Sequence, residues 1–249
     1  MKIKDYVSTI CINAQHSSKE ISCLREKTKN LILNSLIEEI NLNRDLIKSS
    51  NKIDIEDFKS SDNHGDAFLD RLLLDDSRID GMVASIKEII DFKDPVGQIK
   101  GLEKMKSGIK VGKMSMPLGV IAMIYESRPN VTIDASALSI KSGNAIILRG
   151  GSESINTNIA LAKCIKNSLI KNKVNKNIVQ LIDNTDRDIV NELLLQNDYI
   201  DIVINCAGAG DWKFLHEMDI NEIQGCLNAP LISSLNLTHL TLPKMIKSN

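Results

Sequence analysis

The chain has 249 residues, 43% of them hydrophobic, enough for one large α/β domain or two small ones around a buried core. Charged residues make up 25% and the formal net charge is -1, so no basic face for nucleic acid stands out; the lysine-rich "KNKVNKN" at 171–177 reads as a solvated loop. No apolar run is long enough to span a membrane.

The opening "MKIKDYVSTICINAQ" lacks a long apolar stretch and a cleavage pattern, so no signal peptide is expected. Residues 1–50 are polar with helical apolar spacing. Leu31, Ile32, Leu36, Ile37 and Ile40 form one stripe. Residues 51–63 are polar and charged, which predicts a loop or weak helix. Residues 66–92 are helical again, with Ile79, Met82, Ile86 and Ile89 recurring at three and four and Ser77 as a candidate cap. Pro95 in "KDPVG" ends that helix.

The pattern then changes. Residues 108–116 alternate as a half-buried strand would, and "GVIAMIY" (119–125) is an apolar run suited to a strand covered on both faces. A helix over 132–143 ends at Gly143, a plausible C′ residue. Strands follow at 144–151, 178–183 and 200–205, separated by helices at 155–172 and 186–196. Strand and helix alternate with short connections. The expected fold is α/β: N-terminal helices, then a doubly wound, mostly parallel, Rossmann-like sheet from about 117 onward.

Ligands bind such sheets at the carboxyl ends of the strands. Two strand ends here are unusual. "YESRPN" (Tyr125–Asn130) packs an acid, a hydroxyl, a guanidinium and an amide into one turn. Arg128 suits a phosphate or carboxylate, and Asn130 suits a developing oxyanion. An equally good reading is a polar strand-to-helix turn capped by Asn130 or Thr132. "LRGGSE" (Leu148–Glu153) has two glycines that let backbone N–H groups approach a ligand, flanked by Arg149 and Glu153. The helix after it would direct its positive end at an anion. The dinucleotide-binding G-x-G-x-x-G and the P-loop are both absent.

The five cysteines, Cys11, Cys23, Cys164, Cys206 and Cys226, are odd in number and form no C-x-x-C pair, so neither zinc ligation nor a disulfide framework is expected. Reduced thiols in a cytoplasm are the default. His16, His64 and His239 have no metal spacing, and no metal site is expected.

The segment "MPLGVIAMIYESRPNVTIDASALSIKSGNAIILRGGSE" (116–153) closely resembles the gamma-glutamyl phosphate reductases, also called glutamate-5-semialdehyde dehydrogenases, of the aldehyde dehydrogenase superfamily. "LDRLLLDDSRI" (69–79), "DPVG" (94–97) and "VQLIDNTDRDIVNELL" (179–194) resemble the same family in the same order, so the resemblance covers about 1–203. It implies NADPH-dependent reduction of L-glutamyl 5-phosphate, a small acyl phosphate, to the semialdehyde in proline biosynthesis, through a thioester on a thiolate. By that analogy Arg128, Asn130 and Ser127 face the substrate. Arg149, Gly150, Gly151, Ser152 and Glu153 lie where related dehydrogenases bind the adenosine ribose. Arg149 would pair with the 2′-phosphate of NADP, whereas the charge of Glu153 suits a free ribose hydroxyl. The family is longer than this chain and its thiol lies in a further domain, which is expected to be missing here.

The tail, about 201–246, resembles a fragment of a short-chain dehydrogenase/reductase: Asn205, Ala207 and Gly208 echo its Asn-Ala-Gly turn, with Cys206 inside the pattern, and Asn228 sits near its helix asparagine. The Tyr-x-x-x-Lys pair of that family is absent, since Ile10, Pro129 and Val203 stand four residues after Tyr6, Tyr125 and Tyr199. The expected organisation is 1–203 (helical 1–95, α/β 109–203) joined near 200–204 to a tail of 204–249. Cys206 is the single weak candidate for a nucleophile; no histidine is close in sequence, His216 being ten residues on. Three readings stay open: the reductase, a nucleotide-binding module without turnover, and a fused fragment with neither. No nucleic-acid or membrane partner is expected, and a homo-oligomer is left as an option.

Overall fold

The computed structural model describes residues 2–60, 66–186 and 188–206, together with Ser234 and Thr238. Past Cys206 the expected tail lies outside the described residues apart from those two, as do Cys226, His64, His216 and His239.

Three helices open the chain: α1 (Ile3–Ile21), α2 (Glu26–Leu42) and α3 (Arg44–Ser60). The stripe on α2 buries Ile32, Leu33, Leu36 and Ile40, while Leu31 is exposed and Leu33 takes its place. Residues 61–63 lie outside the described residues; of the loop or weak helix expected over 51–63, the helix is found, as α3 continues to Ser60. Its buried face carries Asn51 and Asp54 besides Ile47 and Phe58. Its buried positions still recur at helical spacings of four, three and four, with polar residues at two of them. Asn51 donates to the Leu72 carbonyl at 2.9 Å and accepts from the Leu74 backbone N–H at 2.8 Å.

The predicted helix over 66–92 is two, α4 (Asp66–Leu72) and α5 (Asp76–Asp91). Asp75, not Ser77, caps α5: its carboxylate accepts from the Arg78 backbone N–H at 2.8 Å. Ser77 is already inside the first turn. Ile79, Met82, Ile86 and Ile89 are buried as the spacing predicts.

β1 (Ile99–Lys104) and β2 (Lys110–Met114) pair as an antiparallel hairpin. Every residue of both strands is exposed, which corrects the half-buried strand expected over 108–116. β1 has no alternating pattern to read.

The remaining strands, β3 (Val120–Tyr125), β4 (Ala145–Arg149), β5 (Val179–Leu181) and β6 (Ile202–Cys206), form one sheet in the order β5-β4-β3-β6, all parallel. Helices α6 (Asn130–Lys141), α7 (Ile155–Lys171) and α8 (Asp188–Leu194) stand between them in sequence. Alternate side chains of β3 and β4 divide between two cores. Ile121, Tyr125, Ile146 and Leu148 join residues of α2, α5, α6 and α7. Val120, Ala122, Ala145 and Ile147 join Val7, Ile10 and Ala14 of α1 and Ile189 and Leu193 of α8. Both faces of these strands are covered, which is why they read as continuous apolar runs. The doubly wound parallel sheet is therefore observed. α6 ends at Lys141 with Ser142 as its C-cap, and Gly143 follows with a φ of 77°, the left-handed backbone a C′ glycine adopts.

Two buried lysines tie the helices together. Lys29 of α2 is fully buried with Nζ 2.8 Å from an Asp94 carboxylate oxygen. Lys141 donates to Glu26 at 3.2 Å, to Asn30 at 2.9 Å and to the Ile90 carbonyl at 2.8 Å. Each ammonium has the partners a buried cation requires. Among the described residues no helix is long and apolar enough to cross a membrane.

Candidate functional site

β3 and β4 are neighbours, with Ile124 opposite Arg149. The turns that follow them therefore leave the same edge of the sheet side by side. The Gly151 N–H donates to the Glu126 carbonyl at 3.4 Å, and the Ser127 hydroxyl donates to Glu153 at 3.2 Å. "ESRPN" and "RGGSE", 26 residues apart at that hydroxyl, form one surface.

The glycines also have a steric task within the protein. A Cβ on Gly150 would stand 2.5 Å from Asn158 Nδ2 and 3.0 Å from the Tyr125 hydroxyl. One on Gly151 would stand 2.6 Å from Glu153 and 3.1 Å from the Ser127 backbone nitrogen. The two glycines let the turns approach each other, and the Gly151 N–H already has an acceptor inside the protein. The Arg149 guanidinium donates to the carbonyls of Gly150 and, at 3.1 Å, Thr185.

The start of α7 also departs from expectation. Its Asn156 and Thr157 backbone N–H groups donate to the Asp54 carboxylate at 3.1 and 2.8 Å, and the Asn156 amide and Thr157 hydroxyl add bonds at 2.8 and 2.5 Å. Asp54 is 2% exposed. A carboxylate of the chain itself occupies the positive end of the helix, so that end is not a vacant anion site. Beside it Asp54, Asp57, Phe58, Ser152 and Glu153 line a cleft of about 240 Å³.

Behind the turns runs a buried polar chain that the sequence does not announce. Thr132 donates to Asn158 Oδ1 at 2.8 Å, and the Asn158 amide donates to the Ser154 hydroxyl at 2.9 Å. The Thr132 hydrogen is thereby committed, so the Tyr125 hydroxyl, 2.8 Å away, is the donor to it. Burial pushes the Tyr125 phenol up to about 12, against the opposing pull of the Thr132 bond and the Arg149 charge. Asn158 closes the polar stretch Asn156–Asn158 at the start of α7, which reads as an ordinary helix start and gives no sign of burial.

The capping alternative for "ESRPN" fails. Residue 129 is the N-cap of α6 and no side chain caps it. Thr132 serves the buried chain, and the Asn130 amide donates to Asp134 at 3.0 Å. That uses one of the two N–H groups of Asn130 and leaves the other for a ligand. Arg128 is exposed, and its guanidinium has no side-chain or backbone partner among the described residues. It lines a cleft of about 490 Å³ between α4, α5 and the β3–α6 turn, which also holds Arg71. Ser127 is 5% exposed, and Ser152 is exposed.

Cys206 is exposed and stands opposite Tyr125 at the carboxyl end of β6. It is thus on the same sheet edge as both turns. Burial pushes the thiols of Cys11 and Cys164 up to about 12 and about 11, with Glu192 and Glu39 respectively adding to the rise. Cys23 is exposed and lies beyond the end of α1. All four described cysteines are free, and the described residues hold no group of three His, Cys, Asp or Glu placed to bind a metal ion.

No protein-family model matches the chain. Curated relatives do. Gamma-glutamyl phosphate reductase of Clostridium tetani is 44% identical over 197 residues, 79% of this chain and 46% of the relative. That of Ruthia magnifica is 40% identical over 234 residues, 94% of this chain and 54% of the relative. Those 234 residues outnumber the stretch of 1–203, so this match runs into the tail. The crystal structure of gamma-glutamyl phosphate reductase from Thermotoga maritima superposes with a TM-score of 0.78 at 32% identity, over 83% of this chain and 49% of that one. Glyceraldehyde-3-phosphate dehydrogenase of Methanocaldococcus jannaschii, solved with NADP, shares the fold at a TM-score of 0.60 and 14% identity, over 84% of this chain and 46% of that one. The chain spans about half the length of the relatives it matches. Over about four-fifths of its length, it shares sequence and fold with the gamma-glutamyl phosphate reductases and fold with aldehyde dehydrogenases at large.

Proposed function

We propose that this chain carries the cofactor-side half of a gamma-glutamyl phosphate reductase, an oxidoreductase of proline biosynthesis that reduces L-glutamyl 5-phosphate to L-glutamate 5-semialdehyde with NADPH. The observation that carries the reading is the pairing of "ESRPN" and "RGGSE" at one sheet edge, in a chain 44% identical to such a reductase over 197 residues. No observation favours the non-catalytic alternative.

In this reading a thiolate attacks the acyl phosphate, a C–S bond forms and phosphate leaves with the electrons of the broken C–O bond. The nicotinamide, when bound, supplies the hydride that reduces the thioester carbonyl, and the thiolate is released. Arg128 neutralises a substrate anion from its exposed position in the cleft. Asn130 offers its second N–H to the carbonyl oxygen as charge develops there. Ser127 is spent on Glu153 and orients that carboxylate. Cys206 is the described thiol on the correct sheet edge.

Ser152 and Glu153 suit the adenosine ribose, whose hydroxyls a carboxylate accepts. The same cleft has Asp54 and Asp57 in its walls, and these carboxylates oppose a 2′-phosphate. Arg149 is the cation of the turn that favours one. The fold neighbour solved with NADP supports the phosphorylated cofactor. Titration of the full chain with NADPH and with NADH, followed by intrinsic fluorescence and thermal shift, tests the reading. We expect saturable binding with NADPH the tighter ligand, unchanged in Cys206→Ala. Absence of binding to both refutes it.

The exposed β1–β2 hairpin, with Leu102, Ile109 and Val111 exposed by 59%, 64% and 53%, supports self-association of the chain. The proposed reaction and the free thiols fit a cytoplasmic location.

A further inference from the structure

The buried chain behind the turns has a direction. Tyr125 donates to Thr132, Thr132 to Asn158 Oδ1, the Asn158 amide to Ser154, and the Ser154 hydroxyl to the Gly151 carbonyl at 3.3 Å. A hydroxyl has one hydrogen, so this order needs a link between Thr132 and Ser154 that accepts at one end and donates at the other. The amide of Asn158 does both. We infer that Asn158 is a positioning residue for the turn after β4. Acting through Ser154, it holds Gly151, and with it Arg149, Ser152 and Glu153, in the geometry that meets the ribose. The inference rests on the proposed cofactor role of that turn and adds the residue that sets its shape.

The use made of Ser154 supports it first. Ser154 is the N-cap of α7, yet its side chain caps nothing. A serine there ordinarily accepts from a backbone N–H of the first turn. Asp54 takes those donors instead, at Asn156 and Thr157. Ser154 is left to accept from Asn158, four residues on along the same helix face, and to donate back to Gly151. Thr132, Ser154 and Asn158 are all fully buried. Apolar groups of the same shape would fill that space at little or no cost, so packing does not demand the chain.

The glycines support it second. Two adjacent glycines give a turn wide backbone freedom. Gly151 is held on both sides: its N–H donates to the Glu126 carbonyl at 3.4 Å, and its carbonyl accepts from the Ser154 N–H at 3.4 Å as well as from the hydroxyl. A Cβ on Gly150 would stand 2.5 Å from Asn158 Nδ2, so the amide lies directly against the turn. A turn ordered before the ligand arrives spares binding that entropy cost.

Asn158→Asp tests the donor at this position. Ionised, the new carboxylate only accepts, so Ser154 turns its hydrogen to it and the Gly151 carbonyl loses that donor. Protonated, the acid accepts from Thr132 and donates to Ser154, as the amide does. Burial raises the pKa of such an acid and brings the change into the range from about pH 5 to about pH 8. NADP, the acid-stable form of the cofactor, is titrated by calorimetry into the full chain and its variants across that range. Affinity is read relative to the unaltered chain at the same pH. That ratio cancels titration of the ligand and of the charged groups on adjoining elements, Arg149 and Glu153 on the turn and Asp54 on α3.

We expect Asn158→Asp to bind about tenfold more weakly at about pH 8, the worth of one hydrogen bond, and to approach the unaltered chain as pH falls. Ser154→Ala should show a similar loss at every pH. Tyr125→Phe removes the first link alone and should lower the melting temperature without changing affinity. A relative affinity of Asn158→Asp that is flat with pH overturns the inference. So does unchanged affinity in Ser154→Ala, or a Tyr125→Phe protein that loses as much affinity as Ser154→Ala. If Asn158→Asp does not melt cooperatively, Ser154→Ala and Tyr125→Phe decide the matter by the same criteria. An unaltered chain that binds no NADP overturns the proposed function, and this inference with it.

Discussion

The Ser127 hydroxyl on the turn after β3 donates to the Glu153 carboxylate on the turn after β4, at 3.2 Å. The bond holds two strand ends as one surface, and Ser127 is almost fully buried in making it. Ser127→Ala leaves the carboxylate without this donor. We expect a stability loss of about 1.5–3 kcal/mol by chemical denaturation, the value of a hydrogen bond to a charged group. NADPH affinity should fall as well, because Glu153 is then free to turn. An unchanged affinity would show that the Glu153 orientation is immaterial to the cofactor.

Asp54 joins α3 to the start of α7 through four hydrogen bonds. Asp54→Ala strands buried donors at Asn156 and Thr157. The expected cost is about 3 kcal/mol or more, above that of an ordinary helix cap, because the acceptor is charged and the site is buried. Asp54→Asn keeps one acceptor oxygen and should recover part of the loss. Urea denaturation midpoints of the three proteins decide the matter.

Alkaline pH should destabilise the fold from about pH 9 upward. Burial raises Cys11 from 9.0 to about 12, Cys164 from 9.0 to about 11 and Tyr125 from 10.0 to about 12. The unfolded chain loses these protons first, so it binds fewer protons than the folded chain above pH 9. Stability is full below that point and falls as pH rises towards 12. A three-unit rise such as that of Cys11 corresponds to roughly 4 kcal/mol across the window. Thermal melts between pH 8 and pH 11 should be flat at first and then decline. Cys11→Ala should soften the decline, since alanine has no proton to lose.

The strands and helices from 117 onward were legible because each rests on a local pattern. The runs in β3 and β4 are apolar on both faces, and Gly143 marks a helix end. α3 beyond residue 50 was left between loop and weak helix, because its buried face carries Asn51 and Asp54, whose partners lie at Leu72, Leu74, Asn156 and Thr157. The helical period is present, but polar residues hold two of its four buried positions, so an apolar stripe alone does not reveal it. The hairpin was half legible for the opposite reason: alternation in β2 implies a buried face, and the described residues provide none.

The candidate site divides in the same way. The residue types in "ESRPN" and "RGGSE" mark both turns as unusual, and the resemblance of 116–153 to a reductase assigns them to one chemistry. Those conclusions depend on composition and order along the chain, which sequence contains in full. Three things depended on tertiary structure. The glycines of "RGGSE" serve the contact between the turns, because Asn158 and Glu153 occupy the space a Cβ would need. The N-terminus of α7 is filled by Asp54, from a helix about a hundred residues earlier. Arg71 and Arg128 share a cleft because α4 packs beside the β3–α6 turn. Each is a matter of which distant groups meet, and that is settled by how the helices close over the sheet.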